Sequence, residues 1–121
     1  MKDLLPYIAE SLQSVAQVEL SYTGISANLP LVVLTEVDNS AAIIADNREC
    51  ASMITVQVDC YAIGEKAVKD TAIAVSEILT GKGLRRATGQ LMKEDNLDRY
   101  MMQFDCIVDS AGVVYHGSNT L

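Results

Sequence analysis

The sequence predicts an α+β fold, a two-layer sandwich in which two helices pack on one face of a mostly antiparallel sheet of four to five strands. Two segments carry apolar residues at helical spacing, and several others alternate apolar with polar residues as half-buried strands do. The last two predicted strands follow each other through a short polar turn, which makes a hairpin and therefore antiparallel pairing. The order helix, strands, helix, strands favours helices beside a single sheet.

Each predicted helix is identified by one apolar stripe. The first covers residues 2–16, and its stripe comprises Leu5, Ile8, Leu12 and Val15. Pro6 falls in its first turn, where proline's missing N–H removes no hydrogen bond. The second covers residues 65–80 and is followed by Gly81, which is typical of a helix end. Its stripe comprises Val68, Ala72, Val75 and Leu79.

Five strands are expected, at residues 18–22, 31–36, 52–62, 84–93 and 100–108. The turn-forming run Asp38-Asn39-Ser40 is expected to end the second strand, and residues 41–48 stay unassigned. The fourth strand is expected to be interrupted near Gly89 and to be joined to the fifth by a turn at residues 94–98. The side chains expected to face the core from the third and fifth strands are Ile54, Val56, Val58, Cys60, Tyr100, Met102, Phe104, Cys106 and Val108.

The chain is expected to form one domain followed by a tail. Its 121 residues match the usual size of a single domain, and no linker, repeat or block of charge divides them. We place the domain at residues 1–110. Residues 111–121 end in a run of glycine and polar residues and are expected to form a loosely held C-terminal tail.

The charge balance excludes two classes of partner. Sixteen acidic residues against nine basic ones give a net charge of −7 and an isoelectric point near 4.5, which repels phosphate backbones and anionic lipid surfaces. Specific nucleic-acid binding and membrane attachment are therefore not expected, although DNA could pass such a protein without sticking. The longest uncharged run, residues 20–35, is too short and too broken by Gly24 and Pro30 to span a bilayer.

No catalytic residue, metal ligand or cofactor site is expected. The three cysteines and the single histidine, His116, have no metal-ligand spacing. Cys60 and Cys106 fall on core-facing strand positions, where a thiol packs as a small apolar group and is not activated. The carboxylates of residues 94–98 have the composition of a solvated turn and lack the spacing of a calcium loop.

Three outward-facing features remain as candidates for interaction. Ile73 lies in the middle of the polar side of the second helix, where it is either a single exposed aliphatic residue or a subunit contact. Arg85 and Arg86 are adjacent, so they point to opposite faces of a strand. They either discourage edge-to-edge aggregation or meet acids of a neighbouring subunit. Asp59 and Asp105 lie on the outer sheet face, which is either solvated or partly covered.

Four segments carry a resemblance to a known family. They are YIAESLQSV in the first helix, LPLVVLTEV in the second strand, ITVQVDCYAIGEKAVKDTAIAVSEIL across the third strand and second helix, and GLRRATGQLMKEDNLDRYMMQFD after it. Through them, residues 5–110 resemble the tail completion or tail terminator proteins of long-tailed bacteriophages. The likeness is one of pattern, and Leu84 departs from it because many members have an aromatic residue after the glycine.

The resemblance implies a virion protein without enzyme activity. Its copies would join as a hexameric ring at the head-proximal end of the tail, where the ring would end growth of the tail tube, join the tail to the head, or both. Its partners would be further copies of itself, the tail tube protein and the head connector protein. It would act in the virion tail and, during assembly, in the cytoplasm of the bacterial host.

The candidate residues take positions in that implied ring. Ile73, Arg85 and Arg86 would lie between subunits. Asp59 and Asp105 would face the lumen, where their charge would repel DNA as it passes. Each of these positions follows from the ring that the resemblance implies.

Two other function classes stay open. A small α+β regulatory domain would bind a ligand in a pocket between helix and sheet. An uncharacterised hydrolase is disfavoured, because the sequence shows no convergent set of polar residues. Rings or capped tail tubes would distinguish the assembly protein from the regulatory domain.

Overall fold

A computed structural model describes residues 4–20, 29–45, 48–94, 96–109 and 114–115 of the protein. Its elements, in chain order, are α1 (Leu5–Leu12), β1 (Gln17–Glu19), β2 (Leu31–Ala45), β3 (Arg48–Ala62), α2 (Glu65–Gly81), β4 (Arg85–Glu94), β5 (Leu97–Asp109) and β6 (Val114–Tyr115). Helices and strands therefore follow one another in the predicted order, with a two-residue strand added at the end.

The strands form one sheet in the order β1-β2-β3-β5-β4, and β6 adds to β5 next to the start of β4. Every neighbouring pair is antiparallel except β1 and β2, which are parallel. Both helices pack against the same face of this sheet. The α+β two-layer sandwich with a mostly antiparallel sheet is therefore confirmed.

The main core lies between the two helices and the helix side of the sheet. Phe104 of β5, Ile8 of α1 and Leu79 of α2 are all fully buried in it. The strand residues predicted to face the core are buried, except that Tyr100 is only partly buried against the same cluster. Burial of this apolar surface is the main force that holds the two layers together.

The second helix begins where the sequence predicts and ends one residue later. Gly64, with a φ of +101°, precedes it, and Glu65 places a carboxylate at its positive N-terminal end. The chain leaves the helix through Gly83, whose φ is +97°. A Cβ atom at Gly83 would lie 2.6 Å from the carbonyl oxygen of Val114. Glycine is therefore needed where β6 approaches the end of the helix.

The largest difference from the prediction is the length of β2. A turn at Asp38 is predicted, and this prediction is wrong, because β2 continues to Ala45 in antiparallel pairing with β3. A register shift between Glu36 and Asp38 makes Val37 the extra residue of a bulge. The ladder to β3 satisfies the backbone of the turn-forming residues, so their local preference does not end the strand.

Other boundaries differ as well, since β3 begins four residues and β5 three residues earlier than predicted. The first helix stops about one turn earlier than predicted, and the chain then turns into β1. The fourth strand is continuous through Gly89, and its register shift lies instead between Arg86 and Thr88. Gly89 has a packing role, because a Cβ atom there would lie 3.0 Å from the ring of Tyr100.

The outer face of the sheet is covered at one end. A second buried cluster lies there and comprises Leu31, Val33, Tyr61 and Leu97. Elsewhere on this face, Met101 and Ile107 are partly buried. The face is therefore neither fully solvated nor fully covered.

The C-terminal segment contributes to the sheet. The two residues of β6 pair with the end of β5. The sequence assigns both to the tail of residues 111–121, so the tail is partly ordered into the sheet at this point. The rest of that tail, with His116, lies outside the described residues.

Candidate subunit-contact surface

The strand β4 forms an open edge of the sheet. It pairs with β5 on one side and with no described strand on the other. Residues 85–90 are all exposed. Unpaired N–H and C=O groups along such an edge form a template on which a further strand can add. The edge is therefore a candidate site for a second chain.

A groove lies beside this edge, between α2 and the helix side of β4 and β5. Its volume is about 410 Å³, and its lining includes Ile73, Ser76, Glu77, Arg86, Tyr100 and Met102. Ile73 is 57% exposed, as the sequence predicts for the unassembled chain. The exposed side chain of Ile73 lies on α2, across the groove from the exposed residues of β4.

Arg85 and Arg86 point to opposite faces of the sheet, as adjacent strand residues must. On the outer face, Arg85 binds Asp105 through two hydrogen bonds, from Nε to Oδ1 and from Nη2 to Oδ2, each 3.1 Å long. These bonds raise the pKa of the Arg85 guanidinium. On the helix side, Arg86 lines the groove and forms no ion pair with any residue that the structure describes.

Asp59 is held in a buried polar cluster on the outer face. It is only 4% exposed. Arg99 donates a hydrogen bond from Nε to its Oδ1 at 2.9 Å, and Gln57 donates one from Nε2 to its Oδ2 at 2.9 Å. The guanidinium of Arg99 lies 5.9 Å from the ring centre of Tyr61. The carboxylate is therefore compensated by a cation and satisfied by two donors.

This pairing changes the interpretation of the two candidate lumen residues. In the lumen of a ring, Asp59 and Asp105 are expected from the sequence to repel DNA through their negative charge. In the structure each carboxylate is bonded to an arginine, Arg99 and Arg85 respectively, so that the electrostatic basis of the repulsion is lost for both pairs. Their position on the lumen of a ring stays a prediction.

Sequence reasoning did not find Arg99 as the partner of Asp59. The two residues are 40 positions apart, and they meet because β3 and β5 are paired with Tyr61 opposite Arg99. The sequence does place both residues on the polar face of an alternating strand, and this is the signal that points to a contact between them. The pairing register, which the sequence alone does not supply, decides which residues meet.

The first turns of α2 and the hairpin of β4 and β5 carry ion pairs. Lys69 Nζ lies 2.9 Å from Glu65 Oε1, and Lys93 Nζ lies 3.1 Å from Asp98 Oδ1. The hydrogen bond from Lys69 lowers the pKa of Glu65 and raises the pKa of Lys69. Asp98 is predicted to lie in a turn, but it belongs to β5 and is buried. These pairs are structural contacts between oppositely charged neighbours.

The two described cysteine side chains are not poised for nucleophilic chemistry. Burial raises the pKa of Cys60 and of Cys106 to about 12, so both thiols stay protonated near neutral pH. No cluster of three His, Cys, Asp or Glu side chains suited to a metal ion occurs within the described residues. None of the helices in this part of the chain is both long and apolar enough to cross a membrane.

A second open edge lies on the opposite side of the sheet. Along β2, the short strand β1 pairs only with Leu31–Val33. Beyond these residues, β2 has no described partner on that side. Glu36, Val37 and Asp38 are exposed there, and Val37 is 51% exposed. Sequence reasoning missed this edge because it ended the strand at the turn-forming residues.

Neither a scan against protein-family models nor a search of the curated proteins found a match for this chain.

Proposed function

We propose that this chain is a structural protein of a virion, whose copies join edge to edge in a ring at the head-proximal end of a phage tail. The ring ends the growth of the tail tube, joins the tail to the head, or both. The protein acts through the shape and the free energy of its contacts and turns over no substrate.

The observation that carries this proposal is the presence of two unlike open edges on opposite sides of one sheet, at β4 and at the far part of β2. A contact between two different surfaces repeats from copy to copy, and it closes into a ring when the rotation per copy divides a full turn. Ile73 adds an exposed apolar side chain beside one of these edges. Burial of this apolar side chain against a neighbouring copy would stabilise the contact between them.

The likeness of residues 5–110 to tail terminator proteins supports the phage setting. It adds the tail tube protein and the head connector as partners, and a hexamer as the expected ring. The net charge of −7 also fits a ring through which DNA passes without binding.

The second candidate function is a small ligand-binding regulatory domain. The groove beside α2 favours it, because about 410 Å³ lies within the size range of small-molecule pockets. A regulatory domain would not cap tail tubes, and its melting temperature would rise with the right ligand. The two functions therefore give different results in the same preparation.

Electron microscopy of the purified chain mixed with tail tubes tests the proposal. We expect rings, or tubes whose ends are capped. Mixing with tubes is needed because assembly can require the tube as a template, so that a monomer in dilute solution does not decide the matter. Tubes that stay open at a saturating concentration of the chain would overturn the proposal.

Deletion of the gene from the phage separates the two roles of the ring. Overlong tails without heads would show that the protein ends tube growth. Tails of normal length that fail to join heads would show that it joins tail to head. Normal virions in the deletion strain would overturn both roles.

A further inference from the structure

The two open edges of the sheet carry opposite charges at the same level. Two neighbouring rows of register partners cross β2, β3, β5 and β4, namely Glu36, Val56, Phe104 and Arg86 in one row, and Asp38, Thr55, Asp105 and Arg85 in the next. Each row begins with an acid at the β2 edge and ends with an arginine at the β4 edge. A copy placed beside another at the same height would therefore bring arginines opposite acids.

The charges also match in the face on which they lie. Glu36 and Arg86 share a row with the buried helix-side residue Phe104. Asp38 and Arg85 share the other row, in which Arg85 bonds to Asp105 on the outer face. Because register partners point to the same face, both acid–arginine pairs would meet on matching sides of a joined sheet.

Strand direction is compatible with the same joint. β2, β3, β5 and β4 alternate in direction, so β4 runs opposite to β2. A rotation about an axis parallel to the strands places one sheet beside the next and leaves the direction of every strand unchanged. β4 would then meet the neighbour's β2 in antiparallel orientation, which continues the alternation. Since β1 covers only Leu31–Val33, the free overlap is residues 85–89 against residues 34–38.

The charged groups at this joint are accessible. Arg86 and Glu36 are exposed, and neither forms an ion pair with a described residue. Glu36 accepts one hydrogen bond, from Asn39 Nδ2 at 3.0 Å. The side chain of Arg85 is 50% exposed although it bonds to Asp105. Copies with a net charge of −7 repel each other at long range, so local opposite charges decide which surfaces meet.

We propose that residues 85–89 of β4 in one copy pair antiparallel with residues 34–38 of β2 in the next, with Arg86 opposite Glu36 and Arg85 opposite Asp38. The inference rests on the proposed function only in taking the chain to assemble with itself, and it identifies the two surfaces that meet. The neighbour's α1, which packs over β1 and β2, then lies beside the groove that contains Ile73.

Charge reversal at the first pair tests this joint. Arg86→Glu and Glu36→Arg each place like charges at every contact, so each is expected to weaken self-association by about tenfold or more. Analytical ultracentrifugation of the purified chain measures the association constant. Electron microscopy measures the concentration of the chain that is needed to cap tail tubes. Lys82→Glu is the control for Arg86→Glu, since it makes the same change of charge at an exposed residue that does not line the groove and lies beside Tyr7 of α1.

The two single variants are then combined. In a one-to-one mixture, every joint of an alternating ring pairs opposite charges, and the double variant Arg86→Glu/Glu36→Arg does the same within one chain. Both are expected to recover assembly to near the unmodified level. Continued failure of both, or normal assembly by Arg86→Glu alone, would overturn the proposed joint.

A cysteine pair tests the joint even where association is brief. Thr35 and Thr88 share one row and one face of the sheet. Within one chain they are three strand spacings apart, about 14 Å, which is too far for a disulfide. Thr35→Cys/Thr88→Cys is expected to give a ladder of disulfide-linked oligomers on a non-reducing gel. Thr88→Cys/Lys66→Cys is the control, and equal ladders from both would contradict the joint.

Failure of this inference and failure of the proposed function give different results. Rings that tolerate charge reversal would overturn the edge pairing and leave the proposed function standing. Tubes that stay uncapped, together with a specific ladder from Thr35→Cys/Thr88→Cys, would overturn the phage-tail role and leave the edge pairing standing.

Discussion

β3 and β4 lie in the same sheet and turn one face toward the same layer of helices, yet they differ in what covers that face. On β3, the helix-side residues Ile54, Val56 and Val58 are buried. On β4, the helix side carries Arg86 and Gly89, which are both exposed. β3 lies in the middle of the sheet, whereas β4 is at its edge, where a groove separates it from α2.

The difference shows that two kinds of interaction hold strands in this protein. β3 is fixed by burial within its own chain, so its sequence alternates between apolar and polar residues. β4 is fixed by its ladder to β5, and no described strand pairs with its other edge. The backbone groups of such an edge can accept a further strand, and the charged side chains along it disfavour any partner that does not carry opposite charges.

The contrast predicts unequal costs for two register partners. Phe104→Ala removes a fully buried ring and is expected to lower the free energy of unfolding by about 3–5 kcal/mol. Arg86→Ala, directly opposite it on β4, is expected to change the same quantity by less than about 0.5 kcal/mol. Urea unfolding of the two variants measures both, and similar losses would show that β4 is as well covered as β5.

The outer face predicts a smaller effect at its buried ion pair. Arg99→Met leaves the carboxylate of Asp59 buried without its cation and is expected to cost about 2–3 kcal/mol, since the arginine is itself partly exposed. Arg85→Met, at the more exposed pair with Asp105, is the matched control and is expected to cost less than about 1 kcal/mol. Equal costs in urea unfolding would show that burial does not separate the two pairs.

The core cysteines predict a loss of stability in alkali. Their folded pKa is about 12, against an ordinary value of 9.0, so the unfolded chain releases these protons first as the pH rises. The free energy of unfolding is therefore expected to fall between pH 9 and pH 12, by about 1 kcal/mol per thiol between pH 9 and pH 10.

Urea unfolding at several pH values measures this loss, with Cys60→Ala/Cys106→Ala as the comparison. The variant has no buried thiols in these positions, so its stability is expected to depend less steeply on pH above 9. Parallel curves for the variant and the unmodified chain would show that these thiols are not the cause.

The parts that could be predicted from the sequence are those whose burial is local. The periodicity of α2 and the alternation of β3 each report one covered face; α2 forms where expected, and β3 contains the whole predicted strand but begins four residues earlier. The exposure of Ile73 follows from the same helical periodicity. These predictions need only the spacing of residues along one element.

The parts that could not be predicted depend on pairing between distant segments. The turn-forming residues after Glu36 stay in β2 because β3 supplies a ladder and a bulge absorbs Val37. Asp59 meets Arg99 because β3 and β5 adopt one particular register. The open part of the β2 edge, and with it half of the candidate joint, is visible only once that pairing is known.

The central claim is that the protein works by assembling with itself through the edge of β4 and the neighbouring groove that contains Ile73. Ile73→Asp places a charge on that surface, and Ile63→Asp is the matched control, because Ile63 is 71% exposed and is not part of the groove lining. Both variants are expected to stay folded, with a change in unfolding free energy of less than about 0.5 kcal/mol.

Electron microscopy of each variant with tail tubes is the most direct test. The account predicts that Ile73→Asp forms no rings and leaves the tubes uncapped, while Ile63→Asp assembles like the unmodified chain. Rings and capped tubes formed equally well by Ile73→Asp would contradict it.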